Sequence, residues 1–118
     1  MGFNDEFRDR TKKFSLRIIK LFQALPKTEE AKIIGRQLLR SSTSIGANFR
    51  AATRARSSKE FYAKICIVVE EADETLYWLD LLSESKIFPE SKLKDIANEA
   101  MEITKIASVT RKNFKFSK

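Results

Sequence analysis

The stretch from Ala31 to Arg54, AKIIGRQLLRSSTSIGANFRAATR, decides how this chain folds. At about 100° per residue, Ala31, Ile34, Leu38, Ile45, Phe49 and Ala52 gather about one line of a helix. Lys32, Arg36, Arg40, Arg50 and Arg54 fall within roughly 40° of the opposite line. One side is built to dock on a core, and the other presents cations. The cationic row is interrupted by the small residues Thr43 and Ala47. Guanidinium forks match phosphate oxygens and keep their charge, so a row of this kind can follow a run of phosphates. It can equally be a solvated face, or meet an acidic neighbour.

Working outward, the spacing of Phe7, Phe14, Ile18, Phe22 and Leu25 predicts a first helix over about residues 5–25, closed by Pro26. Arg10, Lys13, Arg17 and Lys20 line up on it, while Leu16 and Ile19 lie far from the core stripe, where apolar side chains point to a partner. Thr28 caps the second helix, expected over about 28–56, with Glu29 and Glu30 at the positive end of its dipole. Gly46, inside that helix, costs about 1 kcal/mol relative to Ala, which implies a close helix contact or a slight bend. Ser57-Ser58-Lys59-Glu60 reads as a capping box opening a third helix over about 58–86.

The third helix buries Phe61, Ile65, Val68, Ala72, Leu76 and Leu79. Its other side sets Glu70, Glu71 and Glu74 beside Ile67, Tyr77, Trp78 and Leu81, a face both acidic and apolar. That face reads as a subunit contact, because large aromatics anchor interfaces; the alternative is an amphipathic Trp lying along the surface. Ile87-Phe88-Pro89 makes the last joint, and a fourth helix over about 89–111 packs Leu93, Ile96, Ala97, Ala100, Met101, Ile103, Thr104 and Ala107. The basic tail over 112–118, read with Arg111 as RKNFKFSK, interleaves cations with two aromatics. Such a mixture can stack bases while holding phosphates, or form a frayed terminus or packing arm.

The totals agree with this plan. A chain of 118 residues with 42% hydrophobic content supports one domain around one core. Three Gly and two Pro are too few for a turn-rich sheet, so the expected fold is all-α, an antiparallel up-down four-helix bundle. A net charge of +7 favours nucleic acid or another anionic surface. The charge is uneven: residues 1–59 hold 14 Lys/Arg against 5 Asp/Glu, and residues 60–118 hold 9 against 11. The lone Cys66 excludes an internal disulfide and fits a reducing cytoplasm. There is no apolar run long enough for a membrane span and no secretory signal pattern, so a cytoplasmic protein without membrane contact is expected. The Met1-Gly2 start fails the myristoylation pattern because position 6 is Glu.

With no His, the usual acid–base residue near neutral pH is missing, and so are His-anchored zinc sites and Ser-His or Cys-His nucleophiles. No GxxxxGK[ST] or GxGxxG pattern cradles phosphates. Among Glu70, Glu71, Asp73 and Glu74, only Glu70 and Glu74 share a helical face, and the Glu-x-x-His motifs of di-metal bundles are absent. The expectation is a non-enzyme with no cofactor and no metal.

Gln37 to Phe61, QLLRSSTSIGANFRAATRARSSKEF, followed by Glu70 to Leu82, EEADETLYWLDLL, closely resembles the bacterial four-helix bundle family named for a 23S ribosomal RNA intervening-sequence protein. The resemblance covers nearly the whole chain and includes Ser44-Ile45-Gly46-Ala47-Asn48-Phe49-Arg50, where relatives carry the same small-residue and Asn pattern. Some relatives have Glu in place of Ala51, and others Pro in place of Gly46. The resemblance implies an antiparallel bundle assembling as a ring-like homopentamer. It does not imply ribosome membership; a similar protein, the accessory variability determinant of diversity-generating retroelements, works with nucleic acid and a reverse transcriptase. Carried over residue by residue, the nucleic-acid-binding candidates are Arg36, Arg40, Arg50, Arg54 and Arg56, with Lys13 and Arg17 secondary. The oligomer-interface candidates are Leu16, Ile19, Tyr77, Trp78 and Leu81, and Asn48 reads as a structural hydrogen-bonding residue.

Two functions follow from different classes. One is a sequence-tolerant nucleic-acid-binding oligomer, in which repeated basic stripes sum weak phosphate contacts. The other is a structural or protein-interaction scaffold, whose basic first and second helices meet the acidic third helices of neighbouring subunits.

Overall fold

The computed structural model describes residues 2–116; Met1, Ser117 and Lys118 lie outside them, and with them the end of the basic tail. Four helices follow in order: α1 (Phe3–Ala24), α2 (Glu29–Thr53), α3 (Ser58–Glu84) and α4 (Glu90–Asn113), with no strand among the described residues. Sequential helices pack antiparallel, α2 against α3 most extensively, while the α1–α4 seam that closes the bundle is the thinnest. The backbones of the diagonal pairs α1–α3 and α2–α4 stay farther apart. The result is an up-down bundle drawn out into a rod of 52 × 23 × 20 Å.

The helix starts follow the capping chemistry expected of the sequence. Thr28 Oγ1 accepts from the Ala31 amide at 3.3 Å, and Ser57 Oγ accepts from the Glu60 amide at 3.1 Å. Four ends differ from expectation by two or three residues: the start of α1 and the ends of α2, α3 and α4. α1 begins at Phe3, because that ring stacks on Phe7 one turn later, at 5.5 Å between centroids. α2 stops at Thr53, leaving Ala55 and Arg56 to turn the chain into the extended Ser57. α3 ends on Lys86 in the left-handed region, at φ 61°.

The core is continuous. It takes Phe7, Phe14, Ile18 and Leu21 from α1, Leu38, Ile45 and Phe49 from α2, Ile65, Val68, Leu79 and Leu82 from α3, and Leu93, Ile96 and Ile103 from α4. Met101, assigned to the core from its spacing, is instead exposed, because the apolar line of α4 runs through Ala100, Ile103 and Ala107. Two hydroxyls enter the α2–α3 interior as a pair: Ser41 Oγ and Thr75 Oγ1 lie 2.9 Å apart, each also donating to a carbonyl of its own helix. Across α1–α2, Gly46 faces the Thr11 carbonyl and Ser15 Oγ at ordinary contact distance, so no close approach there requires a glycine. Gly35 is under tighter constraint: a Cβ there would lie 2.8 Å from Leu25 Cδ1 and 3.1 Å from the Phe22 ring. No helix is long and apolar enough to cross a membrane.

Candidate functional site

The cationic face of α2 is not one continuous track. At its centre, Arg40 reaches across to α3, where Nη1 donates to Glu71 Oε2 at 3.1 Å and Nη2 pairs with Glu74. Gln37 Oε1 accepts from Arg40 Nε at 3.1 Å, and Glu74 Oε2 also accepts from Trp78 Nε1 at 2.9 Å. Nε, Nη1 and Nη2 of this guanidinium are therefore each engaged within the chain, at the surface edge of the α2–α3 contact. Two of the three acidic α3 residues that motivate the scaffold reading, Glu71 and Glu74, are thus paired within the chain.

The other candidate cations divide by position. Arg36 is exposed and makes no ion pair among the described residues. Lys13 pairs along its own helix with Asp9 at 3.0 Å, and Arg56 lies 3.7 Å from Glu60 while remaining 90% exposed. Arg17 is exposed beside the α1–α4 seam. That seam is stapled by a bidentate bond the sequence did not single out: Arg10 Nε and Nη2 donate to the two Glu99 carboxylate oxygens at 2.7 and 2.8 Å. The Arg10 hydrogen bonds hold the Glu99 carboxyl below the ordinary carboxylate range against the opposing effect of burial, with Arg17 adding a weaker attraction.

Arg50 and Arg54 are exposed, without ion pairs among the described residues, and line an open groove of about 1080 Å³ between α1 and α2. The far wall carries Asp5, Glu6 and Asp9 as well as Arg8 and Lys12, so this groove is mixed in sign. The Asn48 amide nitrogen donates to Ser44 O and Ser44 Oγ, both at 2.9 Å, a local structural role.

What the helical wheel could not display is which helix ends lie together. Antiparallel order gathers the start of α1, the C-terminal end of α2, the start of α3 and the C-terminal end of α4 at one tip of the rod. Segments 50–62 and 111–116 there hold Arg50, Arg54, Arg56, Lys59, Arg111, Lys112 and Lys115 with Glu60, while the start of α1 adds Asp5, Glu6 and Asp9 beside Arg8 and Lys12. The tail folds back on this tip: Phe114 stacks on Phe61 at 5.2 Å and meets Tyr62 at 5.7 Å, and Phe116 meets Tyr62 at 5.1 Å. The packing-arm reading of the tail is the one the structure displays. The signal for this grouping lay in the up-down order itself, which pairs even helix ends with odd helix starts.

Of the interface candidates, Leu16 (52% exposed), Ile19 and Tyr77 (56%) stand on the surface. Trp78 and Leu81 are half-buried, and Trp78 packs on the core with its ring against Tyr77 at 5.1 Å. Tyr77 and Met101 border a second groove, between α3 and α4. Among the described residues, no three carboxylate or thiol side chains gather so as to hold a metal ion.

Fold, capping and core thus define a single antiparallel four-helix bundle with one basic tip. The chain belongs to the 23S rRNA-intervening sequence protein family, whose model matches residues 5–108. It is similar over 93% of its length to a solved protein of unknown function from the S23 ribosomal protein family of Bacteroides thetaiotaomicron, at 34% identity and a TM-score of 0.86, covering 98% of that chain. No curated protein matches it.

Proposed function

We propose that this protein is a non-enzymatic, self-assembling bundle that binds RNA or DNA through phosphate contacts with little dependence on sequence. The observation that carries the reading is the contrast on α2: Arg40 is held by Glu71 and Glu74, while Arg50 and Arg54 stand exposed without an ion pair among the described residues. Cations left free on a chain of net charge +7 attract a polyanion by releasing its counterions.

Self-assembly is supported by the apolar patches. Leu16 and Ile19 on α1 and Tyr77 on α3 are exposed on diagonal helices and so occupy opposite sides of the bundle. Two unlike patches make a head-to-tail contact, and such contacts close into rings when the rotation allows. The ring-like pentamer implied by the family resemblance is of this type. In a cyclic ring whose axis runs along the rods every basic tip faces the same way, so weak contacts add along one strand.

The test is an anisotropy titration of short labelled RNA and DNA at several salt concentrations, with the assembled mass followed by sedimentation in the same buffers. Log affinity should fall with log salt by about 0.7 to 0.9 per phosphate contact. Arg50→Glu/Arg54→Glu should fold normally, keep its mass and lose at least about tenfold in affinity with a shallower salt slope. Absence of binding by the parent at low salt overturns the nucleic-acid reading and leaves the scaffold, in which the exposed cations meet a protein.

A further inference from the structure

We infer that the basic tip of the bundle is a site for single-stranded nucleic acid, where bases stack on the Tyr62–Phe116 platform and the surrounding cations hold the phosphates. The inference rests on the proposed nucleic-acid function and narrows it to one strand and one place.

Charge at this tip exceeds what the fold needs. Cations in the last turns of α2 and α4 are expected on structural grounds, because they offset the negative ends of the helix dipoles. Arg54, Arg111 and Lys112 are explained in that way. Lys59, Arg56 and Lys115 are not. Lys59 lies in the first turn of α3, where the dipole disfavours a cation, Arg56 is in the connecting turn, and Lys115 follows the end of α4. A cation placed against a local rule marks a position serving something other than the fold.

The aromatic chemistry lies among these cations. Tyr62 is three residues after Lys59 and so on the same helical face. Phe116 directly follows Lys115, meets Tyr62 at 5.1 Å and Phe114 at 5.2 Å edge-on, and still leaves half of its surface (52%) in water. Phe114 is the packing member of the group, stacked on Phe61 over the core, and it brings Phe116 to the surface. An exposed ring at the edge of a cationic cluster offers a π-face to any base, whereas a duplex keeps its bases stacked on one another and presents only phosphates. The combination therefore favours a single strand over a duplex.

The experiment measures anisotropy on a labelled single-stranded 20-mer, the same backbone without bases, and a 20-base-pair duplex, each at the same series of salt concentrations. The parent should bind the single strand at least about fivefold more tightly than the abasic backbone. Phe116→Leu, at an exposed position where loss of folding is not expected, and Tyr62→Leu/Phe116→Leu should reduce that preference toward unity. Duplex and abasic affinities and the salt slope should stay unchanged, and the thermal midpoint serves as the folding check. Equal parental affinity for the normal and abasic strands, or a preference that survives in folded variants, overturns this inference while the phosphate-binding function stands. Failure of the parent to bind any of the three overturns both.

Discussion

Arg40 within α2 and Arg54 capping its end lie on the same line of the helix, yet the first is paired across to α3 and the second makes no ion pair among the described residues. The difference lies in what stands opposite. At the level of Arg40, α3 offers Glu71 and Glu74 one turn apart; at the level of Arg54, α2 has ended, Glu60 of α3 lies by Arg56, and across the α1–α2 groove Asp5 and Asp9 pair with Arg8 and Lys13 of their own helix. A cationic stripe is thus a property of one helix, but a binding surface is a property of two. The comparison breaks if the two residues respond alike to charge reversal. Arg40→Glu sets a third carboxylate beside two that are partly buried, and should cost about 2 kcal/mol, between the values for exposed and fully buried pairs. Arg54→Glu should change stability by no more than about 0.5 kcal/mol. Urea unfolding with coincident fluorescence and circular dichroism distinguishes them.

The two lateral seams differ in the same way. α2 and α3 share a broad contact, with Ser41 and Thr75 paired inside it and the Arg40 network at its edge, whereas α1 and α4 meet narrowly and rely on Arg10 and Glu99. Because the Glu99 carboxyl is held low when folded, the native state binds fewer protons than the unfolded chain in the acid range. Its contribution is complete above about pH 4.3, the ordinary Glu value, and is lost as the pH falls through the lowered folded value. Glu99→Gln should therefore cost about 1 kcal/mol near neutral pH, allowing for solvent screening, and should flatten the acid limb of the stability profile. Hydrogen exchange should quicken along the facing turns of α1 and α4 and remain unchanged across α2–α3. A uniform change over all four helices would show that the thin seam is not a separate weak point.

These pairings explain how far the sequence could be read. Period, caps and composition are local quantities, and they revealed four helices, the Thr28 and Ser57 caps and nearly all of the core. Met101 was misplaced because its spacing also suits a flank of the core stripe, and only packing decides which flank is covered. The pairing of Arg10 with Glu99 spans 89 positions, and that of Arg40 with Glu74 spans 34. Neither leaves a local trace, since a guanidinium on a wheel looks the same whether or not a carboxylate faces it. The basic tip was half legible: its cations and aromatics were visible in two separate segments, and the topology that joins them follows from counting helices.

The smallest effect separates two glycines of α2 by the same criterion of what lies opposite. Replacing a helical Gly by Ala gains about 1 kcal/mol from backbone entropy where the new methyl has room. At Gly46 the Cβ would meet the Thr11 carbonyl oxygen at 3.5 Å and Ser15 Oγ at 3.6 Å, ordinary contacts, so Gly46→Ala should stabilise by about 0.5 to 1 kcal/mol. At Gly35 the Cβ would press on Leu25 and the Phe22 ring where the chain turns from α1 into α2. Both neighbours pack on the core, and moving them offsets the entropic gain, so Gly35→Ala should fall about 1 kcal/mol below the parent. Thermal or urea unfolding of the two variants should move in opposite directions. Equal stabilisation by both would mean that the turn relaxes more readily than the Leu25 and Phe22 contacts imply, and that the tightest approach of α1 and α2 lies elsewhere along the rod.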